Sequence, residues 1–263
     1  MPLKADSKLC ATGLTLVTGS AGRVGKAVCA ELSKRRIPVR GFDRVPTPDV
    51  ADAIVGTITD PADVRRAMTG VTTLIHLAAC PDDVEDVSGE LLPANINGLY
   101  QIMEAARAQN VRRYILASSG QVNWWHNQSG PWPIDAQDPI SPKYWYAATK
   151  MFMESIGRGF HETHGASVII ARLGWCPRTK AQVEEIAASA WAQDVYLSPG
   201  DAGRFFACCV EAPESLTHTI LYATSRPLRT LLYDLETTRK EIGWEPLEHW
   251  PQGIDIILNN STR

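Results

Sequence analysis

Leu14-Thr15-Leu16-Val17-Thr18-Gly19-Ser20-Ala21-Gly22-Arg23-Val24-Gly25 runs from an apolar strand, through a glycine turn, into the start of a helix. Gly19 permits the tight turn, Gly22 lets backbone N–H groups approach a ligand, and Gly25 lets the helix pack on the strand. A helix N-terminus carries partial positive charge and unpaired N–H donors, so an anion settles there. Gly19, Gly22, Arg23, Val24 and Gly25 are therefore candidates for cradling a pyrophosphate. The spacing is G-x-x-G-x-x-G rather than G-x-G-x-x-G, and in isolation such a turn says little. Its context says more.

Pro38-Val39-Arg40-Gly41-Phe42 reads as a second strand and ends on Asp43, eighteen residues after Gly25. A carboxylate there accepts both hydrogen bonds of an adenosine ribose diol and repels a 2′-phosphate, which favours NAD over NADP. Arg44 beside it could hold that phosphate instead.

Strands are expected near 14–18, 38–42, 53–55, 72–77, 112–117 and 167–172, with helices near 22–36, 61–68, 90–109 and 142–164. The strands are apolar on both faces, as in a parallel sheet covered by helices on both sides. The fold class is α/β: a Rossmann-like, doubly wound parallel sheet with a small C-terminal substrate lobe. Residues 1–172 would form the dinucleotide-binding domain, and 173–263 a small lobe interwoven with it over the carboxyl edge of the sheet. Ligands of open parallel sheets sit at that edge.

The 263 residues suffice for one large core or two joined lobes. A net charge of -3 gives no electrostatic case for nucleic acid or an anionic membrane. Met1–Thr12 is polar and mixed in charge, unlike a signal peptide. No apolar stretch approaches the roughly 20 residues of a membrane-spanning helix, so a cytoplasmic protein is expected. Cys10, Cys29, Cys80, Cys176, Cys208 and Cys209 show no C-x-x-C pair and read as reduced thiols. His76, His126, His161 and His164 are too scattered to suggest a metal site.

The stretch 120–145 reads as a loop holding Trp124, Trp125, Trp132 and Trp145. Such a loop is either pinned to the surface by aromatic contacts or forms a ligand wall, since flat rings pack on sugar C–H faces.

Tyr146 and Lys150 stand four apart near a helix start and share one helical face, roughly 5–6 Å apart at Cβ. A nearby ammonium favours the phenolate, so Lys150 is expected to lower the Tyr146 pKa and make it an acid–base group. Ser118-Ser119 closes the strand Tyr114-Ile115-Leu116-Ala117, where a hydroxyl can share charge developing on a substrate oxygen, or simply cap its own backbone.

Together these pieces resemble the extended short-chain dehydrogenase/reductases, specifically the NAD-dependent epimerase/dehydratase group. The matching motifs are Thr18–Gly25, Asp43, His76-Leu77-Ala78-Ala79, Asn95-Ile96-Asn97-Gly98, Ala117-Ser118-Ser119, Tyr146 to Lys150, Arg172, Asp234-Leu235 and Ile242-Gly243-Trp244-Glu245-Pro246. The resemblance implies Tyr146 as acid–base, Lys150 on the nicotinamide ribose and Ser119 orienting the substrate. It also implies Asn95 supporting the cofactor site and Leu77, Ala78 and Ala79 lining it. In build the chain looks most like the uronate dehydrogenases, with only 91 residues after Arg172. It departs from them in Pro81 and in Gly120-Gln121, which stand where substrate-binding side chains are expected, and Arg178, which follows the sixth strand, is either the group for a substrate carboxylate or a plain surface arginine. Gly56-Thr57-Ile58 departs from the group's usual Gly-Asp at adenine.

The implied activity is oxidation of a hydroxyl of a small polyol, free sugar or sugar acid, with hydride transfer to NAD. Rival readings are a sugar epimerase or dehydratase with tightly bound NAD, reduction of a non-sugar carbonyl, and a nucleotide sensor that lost turnover. The expected partner is a small-molecule substrate. Assembly as a homodimer or larger homo-oligomer would use the helices near 90–109 and 142–164.

Overall fold

The computed structural model describes residues 13–254. Cys10 and the segment Met1–Thr12, read above as no signal peptide, lie outside the described residues. Among the described residues Cys29, Cys80, Cys176, Cys208 and Cys209 are free thiols. Among the same residues no helix is long and apolar enough to cross a membrane.

Seven parallel strands form one sheet in the order β3-β2-β1-β4-β5-β6-β7. They are β1 Leu14–Thr18, β2 Val39–Asp43, β3 Asp52–Val55, β4 Val71–His76, β5 Arg113–Ser119, β6 Ser167–Leu173 and β7 His218–Ala223. Successive residues of the central strands point to opposite faces, and both faces are dry. Val17, Ile75, Ile115 and Ile169 share one cluster with α1 (Arg23–Lys34) and the later helix Pro199–Glu211, while Leu16, Leu74, Leu116 and Ile170 share another, on the other face, with α2 (Pro61–Met68), Leu99, Ile102 and Met153. That is why these strands read as continuous apolar runs.

Six strands lie where the sequence places them, within two residues. β7 was not anticipated. It pairs with β6 from Val168↔His218 to Leu173↔Ala223. The boundary drawn at 172/173 falls inside β6. Of the segment beyond it, β7 joins the sheet, and a later helix, Pro199–Glu211, packs on the α1 face. There Gly203 brings that helix close to α1: a Cβ at Gly203 would stand 2.7 Å from the Ala27 carbonyl oxygen.

The helix expected over 90–109 begins instead as two π-helical turns, Val87–Leu91 and Pro93–Gly98, and becomes α3 only at Leu99–Ala108. Pro93 has no N–H to give the regular ladder, which loosens the winding. The stretch read as a loop contains a 3₁₀ turn, Gly120–Asn123, and a short helix, α4, Trp124–Ser129. α5 is the long helix Trp145–His164. The remaining helices are α6 Lys180–Ala187, α7 Ala190–Asp194, α8 Pro199–Glu211 and α9 Glu236–Ile242.

At the head of the sheet Thr18 bonds three ways. Its hydroxyl lies 2.9 Å from His76 Nδ1 and accepts the N–H groups of Leu77 and Ala78 at 3.2 and 3.1 Å. The hydroxyl therefore donates to an unprotonated Nδ1. Burial, with the Lys150 charge adding to it, pulls the His76 pKa down to about 3. The unfolded chain binds that proton more readily, at about 6.5. Stability from this group is thus complete above pH 6.5 and is lost as pH falls toward 3. In urea unfolding, His76→Gln is expected to flatten the loss of stability between pH 6 and 4 by up to about 1.4 kcal/mol per pH unit.

Candidate active site

A cavity of about 1070 Å³ runs along the carboxyl ends of the strands and gathers nearly every residue singled out from the sequence. Gly19, Gly22, Arg23, Val24, Gly25 and Asp43 line one end. Gly19 has φ 73°, and a Cβ there would lie 2.9 Å from the Ala78 nitrogen. A Cβ on Gly25 would stand 2.0 Å from the Gly19 carbonyl oxygen. Only glycine fits either position. The turn is further fixed by Asp43, whose Oδ2 accepts the Ala21 N–H at 3.0 Å and whose Oδ1 accepts that of Val45 at 3.3 Å.

This end fits a dinucleotide pyrophosphate. Gly22 caps α1 without a side chain, so the first amides of the helix keep their donors. Arg23 Nη2 donates to the Cys176 carbonyl at 3.1 Å, while its buried Nη1 has no partner among the described residues. Gly56, Thr57 and Ile58 continue the same wall, with the Thr57 N–H held by Asp63 Oδ2 at 3.0 Å.

The middle wall carries Leu77, Ala78 and Ala79. Asn95 does not line the cavity. It stands behind the wall, where Oδ1 accepts the Cys80 N–H at 2.8 Å and Nδ2 donates to the Cys80 carbonyl and to Thr149 Oγ1, each at 3.0 Å. Asp83, not foreseen from the sequence, caps the first turn of α5 from the same loop by accepting the Tyr146 N–H at 2.8 Å. The loop after β4 is thereby stitched to the helix that carries Tyr146 and Lys150.

Ser119, Tyr146 and Lys150 meet on the cavity wall. Tyr146 and Lys150 are buried, at 8% and 6% exposure. The Lys150 ammonium donates to the Ala117 carbonyl at 2.8 Å and lies 5.6 Å from the centre of the Tyr146 ring. Ser119 Oγ accepts the Gln121 N–H at 3.2 Å, so it does cap its own turn, and its hydroxyl also hydrogen-bonds with Tyr146. Ser118 donates to Glu154.

The expected lowering of the phenol pKa is corrected here. Burial raises the Tyr146 pKa, and hydrogen bonding with Ser119 only opposes that rise. Burial likewise pulls Lys150 down to about 8, against the attraction of Glu154. Desolvating the phenolate outweighs a lysine whose ammonium is directed at a carbonyl.

Beneath Lys150, Arg172 forms a two-point pair with Glu154, at 3.0 Å from Nε and 2.8 Å from Nη2. Its Nη1 reaches Asn123 Oδ1 and the Tyr222 hydroxyl at 3.0 and 2.8 Å.

At the other end Gly120, Gln121, Trp124, Trp175, Trp191 and Tyr233 close the cavity. The buried Gln121 Oε1 has no partner among the described residues. Arg178 lines the cavity while ion-paired with Asp82, and its backbone N–H donates to Gln182 Oε1 at 2.7 Å. Of the four tryptophans in 120–145, only Trp124 faces the cavity, edge-on to Trp191 at 5.3 Å. Trp125, Trp132 and Trp145 are 61%, 44% and 53% exposed. Trp132 pins the loop through Nε1 to the Asn127 carbonyl at 3.1 Å. Among the described residues no cluster of three or more His, Cys, Asp or Glu side chains could hold a metal ion.

The NAD dependent epimerase/dehydratase family profile matches residues 15–175. The NAD-dependent glucose-6-phosphate dehydrogenase of Haloferax volcanii is 29% identical over 252 residues, covering 89% of this chain and 93% of the relative. The uronate dehydrogenase of Pseudomonas syringae pv. tomato is 30% identical over 217 residues, covering 80% of this chain and 74% of the relative. Among solved structures, a mutated uronate dehydrogenase superposes with TM-score 0.72 at 25% identity, covering 95% of this chain and 87% of that one. A mutant uronate dehydrogenase from Agrobacterium tumefaciens complexed with NAD gives TM-score 0.72 at 22% identity, covering 95% and 90% of the two chains, and speaks to the fold alone.

The Asp83 carboxylate serves as a helix cap supplied from a distant loop. Asp83→Ala is expected to cost about 1 kcal/mol in urea unfolding, while Asp83→Asn, which keeps an acceptor oxygen, stays near the parent.

Proposed function

The chain belongs to the NAD-dependent epimerase/dehydratase family, and from that footing we propose that it oxidises a hydroxyl of a small polyol, free sugar or sugar acid with NAD. The observation that carries this reading is the meeting of Ser119, Tyr146 and Lys150 on the wall of the cavity whose other end is the glycine turn. The relatives named above are a glucose-6-phosphate dehydrogenase and a uronate dehydrogenase.

NAD, when bound, supplies the hydride acceptor. The uncapped amides of α1 and the unpartnered Arg23 Nη1 would hold its pyrophosphate. Asp43 would accept from the adenosine ribose, and its charge favours NAD over a 2′-phosphorylated cofactor. Lys150 would take the nicotinamide ribose.

Tyr146, as the phenolate, takes the proton of the substrate hydroxyl. Burial raises the phenol pKa, so at neutral pH it rests protonated and must first release its own proton to solvent, and Lys150 offsets the charge of the phenolate so formed. Ser119, hydrogen-bonded with Tyr146, would share its hydroxyl with the substrate oxygen. Trp124 and Trp191 offer apolar surface to C–H groups of the substrate, and Gln121 Oε1 offers an acceptor. Exposed Tyr100 on α3 and Phe152 on α5 support assembly as a homo-oligomer through those helices.

A panel of aldoses, uronates and small alcohols, followed at 340 nm, tests the reading. Accumulation of NADH is expected with NAD and at least one free sugar or sugar acid. Product without net NADH would assign an epimerase or dehydratase instead. On the substrate found, Tyr146→Phe is expected to lower kcat by about 10²–10⁴-fold.

A further inference from the structure

Tyr233 enters the cavity from the segment between β7 and α9, far in sequence from the groups already assigned. Its ring is held on two sides. It stacks on Tyr222 with centroids 4.6 Å apart and planes 8° from parallel. The Tyr222 hydroxyl is itself fixed by Arg172 and Asn123, each at 2.8 Å. On the other side Tyr233 meets the backbone of Gly120, the residue after Ser119. A Cβ at Gly120 would stand 2.3 Å from the Tyr233 hydroxyl oxygen. The hydroxyl thus occupies the place a side chain at 120 would take.

The direction of its hydrogen bond follows from its neighbours. Trp191 Nε1 can only donate, and it reaches Asn127 Oδ1 at 3.2 Å. The Asn127 amide is therefore oriented with Nδ2 toward Tyr233, and Nδ2 donates to the phenol oxygen at 2.5 Å. The phenol's own proton is left over, and no acceptor for it is found among the described residues. A donor so placed in a cavity wall gains by meeting a ligand oxygen and loses by meeting none. Burial raises the Tyr233 pKa, which keeps that proton in place.

The geometry points to Tyr233 as a substrate-binding residue: its phenol donates a hydrogen bond to a hydroxyl or ring oxygen of the sugar or polyol beside the reacting carbon. Asn127 is the positioning residue that turns the phenol proton toward the cavity, and Gly120 makes the room. The assignment rests on the oxidoreductase reading above and adds a specificity element to it.

The test is Tyr233→Phe, which keeps the ring and its stack on Tyr222 and removes only the hydroxyl. With the best substrate of the panel, KM is expected to rise about tenfold while kcat changes less than about threefold. Affinity for NAD, measured by tryptophan fluorescence, should match the parent. Across a series of deoxy analogues the penalty should vanish for the one lacking the oxygen that the phenol meets. Gly120→Ala, which displaces the hydroxyl without deleting it, should shift KM the same way. Equal KM in parent and Tyr233→Phe on every analogue overturns the assignment, as does a uniform loss that includes NAD affinity. If the unaltered protein oxidises nothing on the panel, the oxidoreductase reading itself falls and the assignment falls with it.

Discussion

A guanidinium sealed under α5 holds one end of the cavity in shape. Arg172 is 2% exposed and meets Glu154 of α5 at two points. Ser118 at the end of β5 donates to the same carboxylate, and Asn123 and Tyr222 complete the shell from the 3₁₀ turn and β7. A buried charge pair of this kind is worth little against an apolar replacement, but losing one partner costs about 3–5 kcal/mol, because the other charge is left uncompensated. Its value here is registry. Glu154 stands four residues after Lys150, so the pair fixes how far α5 slides along the sheet and hence where Lys150 reaches Ala117. The same guanidinium anchors Tyr222, which supports Tyr233. Lys150 and Tyr233 are thus both positioned from one buried centre.

Polar bonds are spent unevenly around the cavity. Thr18, Asn95 and Asp83 are committed to protein partners and shape the wall. Arg23 Nη1, Gln121 Oε1 and the proton of Tyr233 are not so committed among the described residues. All three residues line the cavity, so on the proposed reading these are the groups that would meet ligand atoms. They lie at the two ends of the cavity, one at the glycine turn and two at the end closed by Trp124 and Trp191.

Much of this was legible in the order of residues, for physical reasons. β1, β4, β5 and β6 are apolar on both faces because both faces are covered, and the glycine turn advertises a backbone that no side chain could adopt. Tyr146 and Lys150 are visible because a helix brings residues four apart together. What escaped depends on contacts across the chain. Asn127 and Tyr233 are 106 residues apart, and neither carries a local signal of its partner. β7 begins with polar His218 and Thr219, and only its last residues are fully buried. The sign of the Tyr146 shift was missed because burial is a property of the folded site, while charge proximity can be read from spacing. Arg178 looked available in the sequence, and only the fold brings Asp82 against it.

The carboxylate of Asp43 joins two jobs that need not have been joined. One oxygen accepts the Ala21 N–H and so braces the phosphate turn from the neighbouring strand. The group proposed to choose between the two nicotinamide dinucleotides is therefore also a strut of the loop that grips both of them. A lineage drifting toward the phosphorylated cofactor would have to surrender that brace or rebuild it from another side chain. Preference and grip are inherited together.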